Sequence, residues 1–442
     1  MNGPAPPRPS TVTARRARLA GTRAWAGRAS AGAWARVAGS GAWPRPGRWP
    51  WWAQVLGVYA LARAWSALVL IVIARTQAAN GWTPAAPSYF QFTGLMWDAS
   101  WYRAIAESGY PAQLPVSPDG SVQQNVWAFY PLFPALVRAV MAATGAPWQV
   151  AGPLLALVLG AAAVLVIHRL VQVGAPKAVA ARPGLSLATV ALVAFFPTSV
   201  VLQVAYTESL ALLLIASVLL LLVRHRYLPA MAVVLALGFT RAVALPVAVV
   251  VLVHAAARWR SARRGRDRVG RRDVAGMAGL GVVAVAAGLA WPVVCAAATG
   301  TPGCYLKTQA AWRSRPDVVP LLPWLDVARW LAGGWGPWLL LALLAGFAAL
   351  LTCPPARRLG PELRAWPAAY LGYLVGVIEP GTSLARFLLL AFPLGAVTAG
   401  MVRTPASRRR GWLLVVLAGM ALFQVGWVWA LWRLTPPSGW PP

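Results

Sequence analysis

The chain has 442 residues, of which 59% are hydrophobic and 11% charged, and a formal net charge of +30 at pH 7. A soluble chain carries about a quarter charged residues, so this balance excludes an ordinary soluble domain. The positive charge is almost all arginine, with Lys177 and Lys307 the only lysines, and it sits in tails and short loops between apolar runs; that distribution orients a membrane protein and excludes a basic nucleic-acid-binding domain.

Residues 1–50 hold nine arginines, no acid and no sustained apolar period, which predicts a disordered basic cytoplasmic arm held near anionic headgroups. Arg15 and Arg16 resemble a twin-arginine signal, but no continuous apolar core follows them, so the first span is expected to be an uncleaved anchor. Apolar runs follow at 53–74, 150–171, 185–205, 208–223, 227–256, 274–298, 336–352, 364–378, 384–402 and 411–432. Each approaches the roughly 17 to 25 residues that a bilayer core demands. The run 227–256 is too long for one span, at about 45 Å.

Basic clusters lie in the arm and at 168–184, 224–226, 258–272, 357–364 and 403–410; the positive-inside rule sets all of them in the cytoplasm. Both ends of 227–256 then lie inside, so the run is expected to break near "GFTRAV" (238–243) into two short helices. The prediction is an all-α polytopic membrane domain over 51–432 with about eleven transmembrane helices. Its N-terminus lies inside the plasma membrane and its C-terminal tail, 433–442, outside. The outward pieces are a large first loop at 75–149, the connection 203–209, the tip around Arg241, a second loop at 299–335 and the turn 379–386. The stretch 127–142 is expected either flat in the interface or as a short core helix of the first loop.

Only ten carboxylates occur in the chain, and this topology puts most of them on the outer face. Asp98 opens the segment "DASWYRAIAES", where a helix-capping role and a catalytic role both remain open. Arg103 and Glu107, four residues apart, are expected to pair. Glu208 opens the fourth run, where the helix dipole favours its charge. Glu208, Glu379, Arg241 and Arg386 all fall at the membrane boundary, where a lipid phosphate would present its headgroup.

Such a set suits sugar transfer from a polyprenyl phosphate to a hydroxyl. Asp98 takes the acceptor proton, Arg241 and Arg386 clamp the departing phosphate, and Trp97, Trp101 and Tyr102 are candidates to stack on sugar faces. Cys295 and Cys304 are expected toward the outer face, either bridged or as lone buried thiols. His168, His225 and His254, each close to an arginine, are read as interfacial residues. No metal site or cofactor is called for by these residue types, and the sequence leaves divalent-cation dependence open.

The segments "WDASWYRAIAESGY" (97–110), "AFYPLFPALVR" (128–138), "FPTSVVLQVAYTESLALLL" (196–214), "GFTRAVALP" (238–246) and "SLARFLLLAFP" (383–393), in this order, resemble the phosphatidylinositol-glycan class V mannosyltransferases (GPI mannosyltransferase II) and, more closely, their bacterial homologues. These are multispan enzymes of the GT-C glycosyltransferase superfamily. The resemblance implies a GT-C-like fold, a polyprenyl-phosphate mannose donor, a glycolipid or protein acceptor, and inverting transfer on the extracytoplasmic face. It implies Asp98 as the essential acid, with Glu208 and Arg241, and more weakly Arg386, as site residues. After Arg241 this chain has Ala242, Val243 and Ala244 where that family tends to have a proline or polar residue and then glycine. A lipid-linked-sugar flippase or transporter, or an inactive subunit of the same fold, is the alternative reading.

Overall fold

The structure, a computed structural model, describes residues 49–313, 317–401 and 406–435. Expectations for the arm, the Arg15–Arg16 pair and the end of the tail lie outside the described residues. The chain divides into two units, Met1–Ala53 and Gln54–Pro442, and the second holds the charged site and the helices that position it.

Among the described residues the regular elements are helices, joined by turns and coil, with an isolated bridge between Val116 and Val122 and no sheet. The principal helices are α1 (Trp51–Ala74), α2 (Asp98–Ser108), α3 (Leu132–Thr144), α4 (Trp148–Gly174), α5 (Leu185–Ala194), α6 (Glu208–Val223), α7 (Tyr227–Gly238), α8 (Leu245–Arg263), α9 (Arg271–Thr299), α10 (Leu322–Ala332), α11 (Gly336–Thr352), α12 (Pro361–Val377), α13 (Leu384–Phe387), α14 (Pro393–Met401) and α15 (Ala406–Trp427). Six stretches are long and apolar enough to cross a membrane, or seven if a bent pair counts as one. They are α1, α4, α8, α9, the α10–α11 stretch Leu322–Thr352, and Arg410–Trp432.

The difference from eleven passes lies partly in helices too short to count, α6 with 16 residues, α7 with 12 and α12 with 17, and partly in broken runs. Run 185–205 stops as a helix at Ala194 and continues as a 3₁₀ turn, Ser199–Gln203. Run 384–402 bends by 76° between Leu384–Ala391 and Pro393–Met401. Each break carries a proline, Pro197 and Pro393, whose missing N–H cannot continue the helical ladder. The segment 299–335, expected as a second outer loop, is partly helical among the described residues, since α10 leads into α11. Run 227–256 does break where its length requires, between α7 and α8 at 239–244. There α7 runs close against α9, because a Cβ on Gly238 would meet the carbonyl oxygen of Ala287 at 2.5 Å.

The backbone groups freed at the 195–204 break are met by side chains from α1 and α15. Arg63, 5% exposed, donates to the carbonyls of Ala194 (2.6 Å) and Ser199 and to the Ser199 hydroxyl (2.8 Å). Gln424 accepts from Ser66 (2.8 Å) and donates to Ser199 Oγ (3.1 Å). A helix end buried in lipid without such partners would leave carbonyls unsatisfied at several kcal/mol each, as an order of magnitude. These polar groups hold the break open.

Helix α3 packs its inner face, Phe133 and Val137, into the first loop, with Phe133 edge-on to Trp148 at 6.4 Å. Its other side is exposed and apolar at Leu136. The first loop is fixed to the α7–α8 break by the Leu132 N–H donating to the Phe239 carbonyl at 2.9 Å.

Cys295 and Cys304 form a disulfide. It is fully buried in a cluster with Trp127, Tyr130 and Trp291, against which Phe239 and Ala242 of the break also pack. The loop it closes is short, nine residues apart in sequence. Replacing both cysteines with serine is therefore expected to lower stability by roughly 2–3 kcal/mol, read as a fall in thermal midpoint in detergent; an unchanged midpoint would count against a structural bridge.

Two polar clusters mark opposite ends of the helices. Glu208 begins α6, which runs 16 residues, about 24 Å, to Val223 and the exposed Arg224–Arg226 turn. Helix α7 returns to the break that carries Arg241, and α8 goes back to Arg258. At that far end His254, 1% exposed, pairs through Nδ1 with Glu362 Oε1 (2.6 Å) and through Nε2 with the Tyr227 hydroxyl (3.1 Å). His254 is thus a buried partner in a helix interface, and His168 is also buried at 6% exposure. Of the three histidines, His225 alone is exposed.

Candidate functional site

The site forms where four segments that are distant in sequence meet. Trp97 adopts φ +58° and ψ −131°, a backbone region that costs a non-glycine residue about 1–3 kcal/mol and persists only where packing over-determines it. The packing is visible: the Trp97 indole N–H donates to the Trp432 carbonyl at 2.7 Å, and its ring lies 5.2 Å from that of Trp82. This turn starts α2 with Asp98 as its first residue.

Asp98 does not cap the helix through its side chain. Trp97 occupies the cap position with no side-chain hydrogen bond, and the Asp98 carboxylate instead accepts from Arg386 Nη2 at 2.6 Å. Arg386 Nη1 donates to Glu208 Oε1 at 2.8 Å, and Arg241 Nη1 donates to the same oxygen at 2.7 Å. Two carboxylates and two guanidiniums are therefore joined in one chain, Asp98–Arg386–Glu208–Arg241, with balanced charge.

Burial grades along this chain. Glu208 is fully buried, Arg386 is 7% exposed, Arg241 14% and Asp98 16%. Taking charges out of water costs several kcal/mol per ion, as an order of magnitude, and the two arginines that meet Glu208 Oε1 offset that cost. The cluster is walled by aromatics: the Arg241 guanidinium lies 4.4 Å from the Phe387 ring centre, and Arg386 lies 5.0 Å from Tyr206 and 5.1 Å from Phe387. Glu208 Oε2 and Arg386 Nε are buried without hydrogen-bond partners. Polar atoms left so are uncommon in a finished interior.

Several supporting residues carry no mark in the sequence. The Tyr206 hydroxyl accepts from the Asp98 N–H at 3.2 Å, Thr207 Oγ1 accepts from Arg241 at 3.3 Å, and Ser383 Oγ accepts from Arg386 at 3.4 Å. Their one signal is adjacency to Glu208 in "AYTES" and to Arg386 in "SLAR". Nothing in their types points to a site.

The three aromatics of the first loop divide. Trp97 and Tyr102 are buried at 7% and 6% exposure. Trp97 is spent on the backbone turn, and the Tyr102 hydroxyl lies 3.3 Å from Thr207 Oγ1 with its ring edge-on to Phe129 at 5.2 Å and Phe133 at 5.9 Å. Trp101 is half-buried, with one face stacked on Phe129 at 5.8 Å. Glu379 lies in the coil between α12 and α13, the segment that carries Ser383 and Arg386. Arg103 and Glu107 pair at 2.8 Å as their spacing predicts, on the exposed side of α2; such a pair is worth about 0.3–0.5 kcal/mol.

Among the described residues no group of three His, Cys, Asp or Glu stands close enough to hold a metal ion. The far-end cluster is distinct in kind. Arg258 binds Asp267 through Nε (2.8 Å) and Nη2 (3.0 Å), and Asp273 through Nη1 (2.9 Å). Hydrogen bonding from Arg258 holds the Asp267 carboxyl down at about 2.

These features define, among the described residues, an all-helical protein with multiple membrane-length helices and, at one end, a buried cluster of two carboxylates and two guanidiniums. No family model and no curated protein matches the chain. Among solved structures it is similar to the oligosaccharyltransferase of Archaeoglobus fulgidus tethered to an acceptor peptide, with 12% identity, a TM-score of 0.47, and coverage of 88% of this chain and 56% of that one. A structure of the same archaeon's oligosaccharyltransferase AglB, with an inhibitory peptide and a dolichol-phosphate, gives 13% identity, a TM-score of 0.46, and coverage of 89% and 57%. The chain thus spans little more than half the length of these neighbours.

Proposed function

We propose that the chain is a membrane glycosyltransferase of GT-C type. It moves a hexose, mannose by the resemblance of its motifs, from a polyprenyl phosphate to a hydroxyl of a lipid- or protein-linked acceptor on the extracytoplasmic face. The observation that carries the reading is the Asp98–Arg386–Glu208–Arg241 chain, in which the more exposed acid stands at one end and the buried acid in the middle.

In this reading Asp98 Oδ2 receives the acceptor proton as the acceptor oxygen attacks the anomeric carbon. The bond from that carbon to the phosphate oxygen breaks on the opposite side, which inverts the centre. The phosphate leaves on the polyprenyl chain with one more negative charge, which Arg386 and Arg241 stabilise. Glu208 is a positioning residue: it anchors both guanidiniums from behind and is too buried to meet substrate. Arrival of the donor phosphate gives Arg386 Nη2 a second anion, which loosens its hold on Asp98 at the moment a base is needed.

Two further observations support the sidedness. The disulfide Cys295–Cys304 packs against the break that carries Arg241, and disulfides persist in oxidising compartments. The arginine-rich turns lie at the opposite ends of α6 and α8, as the positive-inside rule asks. Asp98→Asn is expected to abolish transfer from radiolabelled polyprenyl phosphate mannose, with a loss of about 10²–10⁴-fold for a missing general base. Undiminished turnover in that variant would overturn the catalytic assignment.

A further inference from the structure

Between α8 and α9 a groove of about 710 Å³ runs from Ala248 and Ala286 to Trp259 and Val274, toward the end of the helices opposite the charged site, and is lined by apolar side chains, Leu252, Met277, Val282 and Val285 among them. Its walls face outward: Leu252 is 69% exposed, Val282 70% and Trp259 52%. An apolar groove of this size is within the range of ligand pockets. By itself it names no occupant; the charge around its mouth does.

The loop that joins the two walls, together with the adjoining helix ends, carries eight arginines between 258 and 272. Only two carboxylates accompany them, Asp267 and Asp273, and both are taken by Arg258, which is itself buried. The other seven, Arg260, Arg263, Arg264, Arg266, Arg268, Arg271 and Arg272, are exposed. Helical spacing places two of them in line with the groove. Arg263 follows the lining residue Trp259 by one turn on α8, and Arg271 precedes the lining residue Val274 by one turn on α9. One cation therefore tops each wall of an apolar slot, with an exposed tryptophan just below.

We infer that this groove binds an anionic phospholipid, its acyl chains between α8 and α9 and its phosphate between Arg263 and Arg271. Basic pockets between membrane helices suit such headgroups, and each guanidinium near an anionic surface contributes roughly fivefold in affinity. Trp259 sits at headgroup level, where indoles settle at bilayer interfaces. The inference needs only the membrane-spanning reading of α8 and α9, and stands apart from the proposed sugar transfer.

The test uses the full chain reconstituted in vesicles of equal phosphatidylglycerol and phosphatidylethanolamine, extracted in mild detergent, with co-purifying lipid counted by native mass spectrometry. Wild type is expected to retain phosphatidylglycerol in preference. Arg263→Gln/Arg271→Gln lowers that preference about 25-fold, fivefold per guanidinium lost. Gly281→Leu, which fills the slot from α9 where the nearest atom to a Cβ is Val251 Cγ1 at 4.0 Å, lowers retention without altering charge. Arg224→Gln/Arg226→Gln, at the same end but off the groove, leaves both unchanged. Equal retention of the two lipids by wild type, an equal loss in the two arginine pairs, or displacement by millimolar glycerol phosphate as effective as by lipid would each overturn the inference.

Discussion

Glu208→Gln is expected to destabilise the folded protein by about 3–5 kcal/mol, the cost of removing one partner from a buried ion pair. Glu208 is fully buried, and one of its oxygens accepts from both Arg241 and Arg386. The amide keeps the shape but removes the only anion between two guanidiniums, leaving the largely buried cluster at net +1. The measurement is a denaturation midpoint in detergent, followed by the paired variant Glu208→Gln/Arg241→Gln, which restores neutrality. If charge balance is the cause, the pair recovers most of the lost stability. A single variant within about 0.5 kcal/mol of wild type, the range of an ordinary surface change, would show that Glu208 is not held as an anion.

The meeting of Glu208 with Arg241 is within reach of sequence reasoning from geography alone. The scarcity of acids in an apolar chain makes each of them conspicuous, and the length of run 227–256, basic at both ends, forces a break that carries Arg241 to the level of Glu208. What sequence does not supply is the order of the chain, in which Arg386 holds both Asp98 and Glu208 across separations of 288 and 178 residues. The buried pair His254–Glu362 is hidden for the same reason, its partners lying 108 residues apart.

The breaks at 195–204 and 388–392 are legible only in part. Pro197 and Pro393 mark them, yet Pro153, Pro292 and Pro367 sit inside continuous helices. Proline removes one donor and adds one clash; whether the helix continues depends on whether neighbours meet the freed carbonyl. Around 194–199 that neighbour is Arg63, a lone arginine within the first apolar run, whose cost in a bilayer is itself a sign of work to be done. The types of Trp97 and Tyr102 fit sugar stacking, but only packing reveals that Trp97 takes part in a positive-φ turn and Tyr102 in the loop core.

The second large effect is expected at Arg386. Its two terminal nitrogens point to different carboxylates, Nη1 to Glu208 and Nη2 to Asp98. A lysine carries the same charge as a single compact point and cannot span both. Arg386→Lys is therefore expected to lower kcat by about 10²–10³-fold, the scale of one lost preorganised donor at a site of developing negative charge, while the thermal midpoint falls less than in Glu208→Gln, because the buried charge remains balanced. The measurement is steady-state transfer from polyprenyl phosphate mannose beside thermal unfolding of the same preparation. If Arg386 served only to balance charge, lysine would retain both activity and stability; if it served only to hold the fold, the two losses would run together. A loss of kcat out of proportion to the loss of stability is the outcome that assigns Arg386 to the reaction, through its two-pronged hold on Asp98 and Glu208 beside the departing phosphate.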